Sequence, residues 1–557
     1  MVGETNNSRE QERSLFGRRF SRARFLRLVG TGTGLSLLPV SLAALHRPSR
    51  AQTIAAAAPE VSAILAGREY PIGIWWPPPP AETTVERYQQ IAQAGFNFVI
   101  GGNSVSNDTT NQVALQAATA SELRFLLTDR VLQNRIRDGA TAGAGLRAME
   151  GEQTPSIFQF LLEYGKPYGE LEPPSEPSEE VTPDPGTEVT SASKEDITSG
   201  LREQAASSTA PDSGEEARKD VSRRIQLLLR RYKEYPPGNP ALAGLNLFDE
   251  PNSNLFGILG FAREEVLKWS GGEQLPYINV WPSYASRSAL GTPSYEEYLE
   301  RYMSEVQPPF LCFDHYPLLS GTQITSGYFY NWAVIREYSL KFGVPSWVFI
   351  QSVDFDGSGV GLSKRRRPNE AELLWQVNVS LAYGAKGIQY FTYWTPDVPS
   401  DASIQFGEAL VSKGGTLTPL YYSAQRTNIY LRVIGKALLP LTSESVTHAG
   451  EEPLPRGAEA FTGDDGWVDK VSGSPVILSR FRGTAEATER HLFVANRSFL
   501  DEATTDVKLS NRVSEVFELD SETGEYARVM WHANPDPRKL RLRIAPGGAR
   551  LFLLRTN

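Results

Sequence analysis

One cysteine, Cys312, in 557 residues excludes an intrachain disulfide and any cysteine-built metal cluster. Histidine is nearly as scarce. The five histidines are scattered without an HExxH or comparable ligand spacing, so no metal site is expected. Positive charge is also in short supply: 56 Lys and Arg face 65 Asp and Glu, and the formal net charge of −9 is opposite to the footprint of a nucleic-acid binder. No glycine-rich phosphate loop follows the first apolar segment, which removes the signature of a nucleotide-binding sheet, and no cofactor is expected. What is present is a globular composition, 40% apolar with 22 tyrosines and 10 tryptophans, in a chain too long for one ordinary core.

The first fifty residues differ from the rest. Basic residues precede an uncharged run from Leu28 to Leu45, and Pro48-Ser49-Arg50-Ala51 follows, which is the order of an export signal. Gly, Ser and Thr make that run a poor membrane anchor. The stretch Ser21–Arg27 (SRARFLR) resembles a twin-arginine signal, with Ala23 in place of the second arginine and Arg18-Arg19 just upstream. The expectation is a signal over residues 1–52 and an extracytoplasmic mature chain (secreted, periplasmic or at the cell surface) without stable membrane insertion. The alternative is a disordered basic tail on a cytosolic protein.

Beyond the signal, apolar strands alternate with amphipathic helices. Strands are expected at Tyr70–Trp76, Phe96–Gly102, Glu122–Asp129, Leu242–Glu250, Pro276–Pro282, Phe310–Pro317, Ser346–Val353 and Gly387–Thr395. Near-continuous apolar strands indicate a parallel sheet covered on both faces. Eight of them separated by helices indicate an α/β fold, a (β/α)8 TIM barrel over residues 68–440. One stretch breaks the pattern: Glu170 to Asp220 holds fourteen acidic and four basic residues, so a disordered acidic insertion is expected over about 165–220, in the third βα loop. Past residue 445 short alternating strands with turn signals indicate a small C-terminal all-β sandwich domain over 445–557.

Functional groups of such barrels lie at the C-terminal strand ends. The ends offer Trp76, Asn103, the adjacent pair Asp249-Glu250, Asn279, Trp281, Asp314, His315, Tyr316, Gln351, Tyr393 and Trp394. Carboxylates perform acid/base work, aromatic faces stack on sugar rings, and amides and hydroxyls pair with sugar hydroxyls. No lysine or arginine stands at these ends, which argues against phosphorylated substrates and Schiff-base chemistry. Structural roles fit some of the same residues: Asp314 before His315-Tyr316-Pro317 can organise a turn, and His315 can serve as a hydrogen-bonding partner rather than a base.

The strand-end layout resembles the (β/α)8 glycoside hydrolases of clan A. The opening PIGIWWPPPPAETTVERYQQIAQAGFNFV is similar to the first strand and helix of family 42-like enzymes. The resemblance implies a carbohydrate substrate and a general acid/base glutamate at the end of the fourth strand, here Glu250. Two positions depart from it: Asp249 stands where the clan has Asn, and Gln351 where it has the nucleophilic glutamate. Three sources of the second catalytic group stay open. They are Asp354 or Asp356 from the seventh loop, Asp314, and the substrate's own acetamido group, since an Asp-Glu pair also resembles substrate-assisted N-acetylhexosaminidases. A non-catalytic carbohydrate-binding protein on a decayed hydrolase barrel is the alternative that Gln351 supports.

Overall fold

In a computed structural model, residues 69–103, 106–143, 213–233, 239–463, 466–483, 488–530 and 538–556 are described. The export signal expected over 1–52 and positions 165–212 of the acidic insertion lie outside them. No described helix is long and apolar enough to cross a membrane.

Eight parallel strands close a barrel: Ile72–Trp75, Phe98–Ile100, Arg124–Thr128, Leu242–Asp249, Leu275–Val280, Leu311–Asp314, Ser346–Gln351 and Gly387–Phe391. Each pairs with its successor, and the last pairs with the first. All of their residues except Arg124 are buried, which is why the strands read as unbroken apolar runs. The interior is filled. Phe98 and Trp347 meet across it at 5.5 Å between ring centroids, and a Cβ at Gly387 would lie 2.6 Å from the Trp347 ring. Nearer the mouth, the Tyr277 hydroxyl donates to Gln389 Oε1 (2.6 Å) and Gln389 Nε2 lies 3.0 Å from Cys312 Sγ. Burial holds the Cys312 thiol well above its ordinary pKa, so the lone cysteine is a core residue.

A helix, Arg130–Gly143, starts directly after the third strand, and a second, Ser213–Lys233, leads back towards the fourth. Asp129 pairs with Arg224, the Asp220 carbonyl with Arg135, and Gly139 faces Ala217, so the two helices lie side by side in opposite directions. The second helix begins eight positions before Val221, inside the stretch expected to be disordered. Glu215 and Glu216 sit in its first turn, where carboxylates favour the helix dipole, and Glu215 pairs with Lys219 at 2.7 Å.

The C-terminal region is a two-sheet β-sandwich beginning at Thr442, with six strands in one sheet and three in the other. Its own core includes Val476, Leu492, Val494, Val516, Leu540 and Phe552. It docks on the barrel's outer helices Tyr328–Phe342 and Glu370–Ala382: Trp375 Nε1 donates to the Arg497 carbonyl (3.0 Å), and Arg497 lies 4.5 Å over the Phe329 ring.

Candidate active site

Consecutive residues on a strand point to opposite faces, so Asp249 and Glu250 should not share a pocket. Two local irregularities bring them together. The register between the fourth and fifth strands slips between Asn246 and Phe248, where Asn246 faces Tyr277 but Asp249 faces Asn279. This bulge moves Asp249 onto the inner face that Asn246 occupies one turn of the pleat below. Glu250 then adopts a left-handed backbone, φ 48°, which turns its side chain back towards the mouth. Its N–H donates to the Asn279 carbonyl at 2.7 Å, and the Tyr298 hydroxyl holds the Pro251 carbonyl at 2.7 Å.

Asn279 and Asp314, at the ends of the fifth and sixth strands, complete the cluster. Asn279 Nδ2 donates to Asp249 Oδ1 (3.0 Å) and to Asp314 Oδ1 (3.0 Å). Asp314 is in turn hydrogen-bonded to Glu250. Burial pushes the Asp314 carboxyl up to about 7, against the opposing pull of its Asn279 and Glu250 hydrogen bonds. Asp314 is thereby a carboxyl able to take up a proton near neutral pH beside Glu250.

Tyr316 stands over this cluster. Its ring stacks on Phe391 at 4.7 Å, its hydroxyl is buried without a hydrogen-bond partner among the described residues, and Asp314, Glu250 and Asp249 all act on it electrostatically. Trp281 is half-buried and its indole N–H also lacks a protein partner, as does the Asn279 Oδ1. Three unpartnered polar atoms from the fifth and sixth strands and their loops are suited to a ligand rich in hydroxyl groups.

The remaining expected residues are turned to other tasks. His315 donates from Nδ1 to Asn331 Oδ1 (2.9 Å), because that oxygen already accepts the Ser283 N–H, and its Nε2 accepts from the Thr325 hydroxyl (2.7 Å). Burial lowers its pKa to about 3, so it is a neutral structural imidazole. Gln351 is wholly buried. Its Oε1 accepts the Leu318 N–H (3.0 Å) and its Nε2 donates to the Arg366 carbonyl (2.6 Å), so the amide clasps two loops and does not reach the carboxylates. Asn103 donates to the carbonyl of Pro77, the first residue of the run Pro77–Pro80. Trp76 is 1% exposed and packs edge-on against Trp75. Tyr393 packs on Phe96 and Tyr421, outside the barrel wall, and Trp394 lies under Arg87 at 5.2 Å. Neither offers a face at the mouth. Asp354 has Arg367, Lys364 and Glu408 as its charge neighbours, and Asp356 caps the Ser358 N–H, so both belong to the outer loop.

Two participants were not expected from the sequence. The Tyr284 ring lies 4.9 Å from His315, and Asp314 and Glu250 act on its hydroxyl. The Arg365 guanidinium lies 6.0 Å from the Tyr284 ring, and its Nε donates to the Tyr316 carbonyl (2.6 Å). Arg365 is 5% exposed, although its sequence context, KRRRP, reads as a solvated charge run. The signal that could have found it is the length of the seventh loop, long enough to fold back over the mouth. Among the described residues no group of three or more His, Cys, Asp or Glu could hold a metal ion.

No family model and no curated protein matches this chain. Solved structures similar to this chain include a family 30 endoxylanase from Clostridium papyrosolvens, 9% identical, covering 88% of this chain and 96% of that one at a TM-score of 0.37. An intracellular xylanase from Thermoanaerobacterium saccharolyticum is 11% identical, covering 66% and 98% at a TM-score of 0.35. A putative alpha-L-fucosidase from Bacteroides thetaiotaomicron is 10% identical, covering 65% and 94% at 0.35. At such values the chemistry has to be argued from this chain's own side chains.

Proposed function

We propose that this chain is an exported glycoside hydrolase acting on an oligo- or polysaccharide, with Glu250 as general acid/base. The observation that carries the reading is the convergence of three carboxyls on Asn279 at the strand ends: its Nδ2 donates to Asp249 Oδ1 and Asp314 Oδ1, and its main-chain carbonyl accepts the Glu250 N–H. Glu250, turned inward by its backbone, protonates the departing glycosidic oxygen. Asp314 is the second carboxyl beside it. Tyr316, Trp281 and the Asn279 Oδ1 receive sugar hydroxyls.

A substrate-assisted course is the second reading, and one specific observation favours it. Retaining enzymes set their two carboxyls about 5–5.5 Å apart and inverting ones about 6.5–9.5 Å, to admit a sugar carbon or a water. Here Gln351 stands where a second carboxyl would face that gap, and its amide is held by Leu318 and Arg366. A nucleophile carried by the substrate needs no such gap, and Asp249 lies beside Glu250 to orient a 2-acetamido group.

The test is hydrolysis of aryl glycosides, N-acetylhexosaminides and polysaccharides by wild type and Glu250→Gln. The expected result is turnover that falls about 10²–10⁴-fold in the variant. Preference for N-acetyl sugars selects the substrate-assisted course. Saturable glycan binding with no turnover across the panel would replace the hydrolase by a carbohydrate-binding protein.

A further inference from the structure

The N-terminal face of the barrel, opposite the carboxyls, carries a cleft of about 750 Å³. Pro71, Pro345 and Lys386, which stand just before the first, seventh and eighth strands, line it. The C-terminal ends of the helices Tyr328–Phe342, Glu370–Ala382 and Pro419–Leu438 close its sides, together with the first sandwich strand, Thr442–Ala449. Its volume is that of a small-molecule pocket.

The wall has two chemistries. Leu340, Val344, Pro345, Leu439 and Leu441 make it apolar over one part, and Leu340 is 40% exposed. The charged part is cationic. Arg336, Lys386 and Lys436 line the cleft, and among the described residues no Asp or Glu does. The carboxylate that acts on Arg336, Glu459, is exposed on the sandwich and does not line the cleft.

Converging helix C-termini call for positive charge of their own, but here the backbone already answers most of them. The Gly343 and Val344 N–H groups donate to the Leu340 and Ser339 carbonyls, those of Gly384 and Ala385 to Leu381 and Ser380, and that of Leu439 to Gly435. Of the three cations, Lys386 is used in this way, donating to the Leu438 and Leu441 carbonyls at 2.5 Å each. Arg336 engages only its Nε, with Ser443 Oγ at 2.9 Å, and among the described residues no hydrogen bond takes its two Nη groups. Lys436 is exposed. Trp347, wholly buried behind the wall, has an indole N–H with no hydrogen-bond partner among the described residues. The polar side chains left over are therefore donors, and two of them carry charge.

The geometry points to a binding site for an amphipathic anion, with a carboxylate or phosphate head on Arg336 and Lys436 and an apolar tail along Leu340, Val344, Leu439 and Leu441. A guanidinium fork matches two oxygens of either head group. Because the wall is part barrel and part sandwich, the ligand joins the two domains, and its binding raises their melting temperature by mass action. The site lies on the opposite face from Glu250 and does not depend on the glycosidase reading.

The experiment titrates the full chain with decanoate, decyl phosphate and decanol by calorimetry, all at submicellar concentrations. One saturable site per chain is expected for the anions, with decanol about tenfold weaker or worse. The tighter of the two anions identifies the head group. Arg336→Met should weaken anion binding by about tenfold or more, and Arg336→Lys should restore part of it. Lys436→Glu and Leu340→Glu change exposed positions, so the chain should stay folded while each lowers affinity by a similar factor. Glu250→Gln should bind as wild type does. Absence of saturable anion binding would overturn the proposal, as would equal affinity for decanol or unchanged affinity in folded Arg336→Met and Leu340→Glu. Binding lost in Glu250→Gln would place the anion at the barrel mouth and overturn it as well.

Discussion

Asp129 and Asp314 occupy corresponding places, at the C-terminal ends of the third and sixth barrel strands, and each is 2% exposed. Asp129 accepts two bonds from Arg224, at 3.0 and 2.6 Å, and caps the Leu132 N–H at 2.7 Å. Asp314 has an amide and a second carboxyl instead, and burial drives it up to about 7. Equal burial thus gives opposite chemistry. A bidentate guanidinium ties one carboxylate into a link that staples two helices to the barrel, whereas an amide-and-carboxyl environment leaves the other able to gain and lose a proton near neutrality. Position at a strand end proposes a functional residue; the partner decides which kind it is.

The comparison breaks most visibly if the cation is removed. Arg224→Leu leaves Asp129 buried without its charge partner and should cost about 3–5 kcal/mol of unfolding free energy. Chemical denaturation measures it, and the pH dependence of hydrolysis should not move. A loss below about 1 kcal/mol would mean that the pair contributes no more than a surface ion pair.

Asp314→Asn should act in the opposite direction. A carboxyl raised from 3.8 to about 7 on folding makes its full contribution to stability below about 3.8 and loses it as pH climbs to 7. The amide cannot ionise, so the variant should gain on wild type across that window. Above pH 7 it should lead by an amount on the order of 2–4 kcal/mol. Melting curves at pH 4 and pH 8 give the difference directly, and equal melting temperatures at both would deny Asp314 its raised pKa. Hydrolysis should fall in the same variant, since the pair can no longer exchange a proton.

The smallest effect is expected at the seventh strand. Gln351→Glu replaces a donor to the Arg366 carbonyl by an acceptor and should destabilise by about 1–3 kcal/mol. It should not raise hydrolysis, because the side chain faces the Leu318 and Arg366 backbone. Increased turnover would show that the position can still serve as a nucleophile site, and would restore the retaining mechanism.

The barrel was legible because strands buried on both faces must be apolar throughout, as LAGLNLF is. That the fourth strand surfaces at Asp249 and Glu250 was legible because two acids ending such a strand need a mouth or a partner. Which way each strand-end side chain turns was not. Trp394 and Tyr393 look equivalent to Tyr316 in a one-dimensional reading, yet Arg87 and Tyr421 claim the first two while Asp314 and Phe391 frame the third. Nor could composition assign Arg365, since only the return of a long loop distinguishes it from its neighbours Lys364, Arg366 and Arg367. The bulge that brings Asp249 beneath Glu250 leaves no mark in the residue pattern either.

Two side chains at the mouth, Trp76 and Glu250, hold backbones of φ 53° and 48°, a region where glycine sits freely and other residues are strained by about 1–2 kcal/mol. A lineage drifting without a task should shed that strain, since Glu250→Gly is a short mutational step that relaxes the chain. Diverging copies of this gene should therefore separate into two groups at that one position. Where the site still works, the glutamate persists against its conformational preference; where it has fallen silent, glycine or asparagine should accumulate there first.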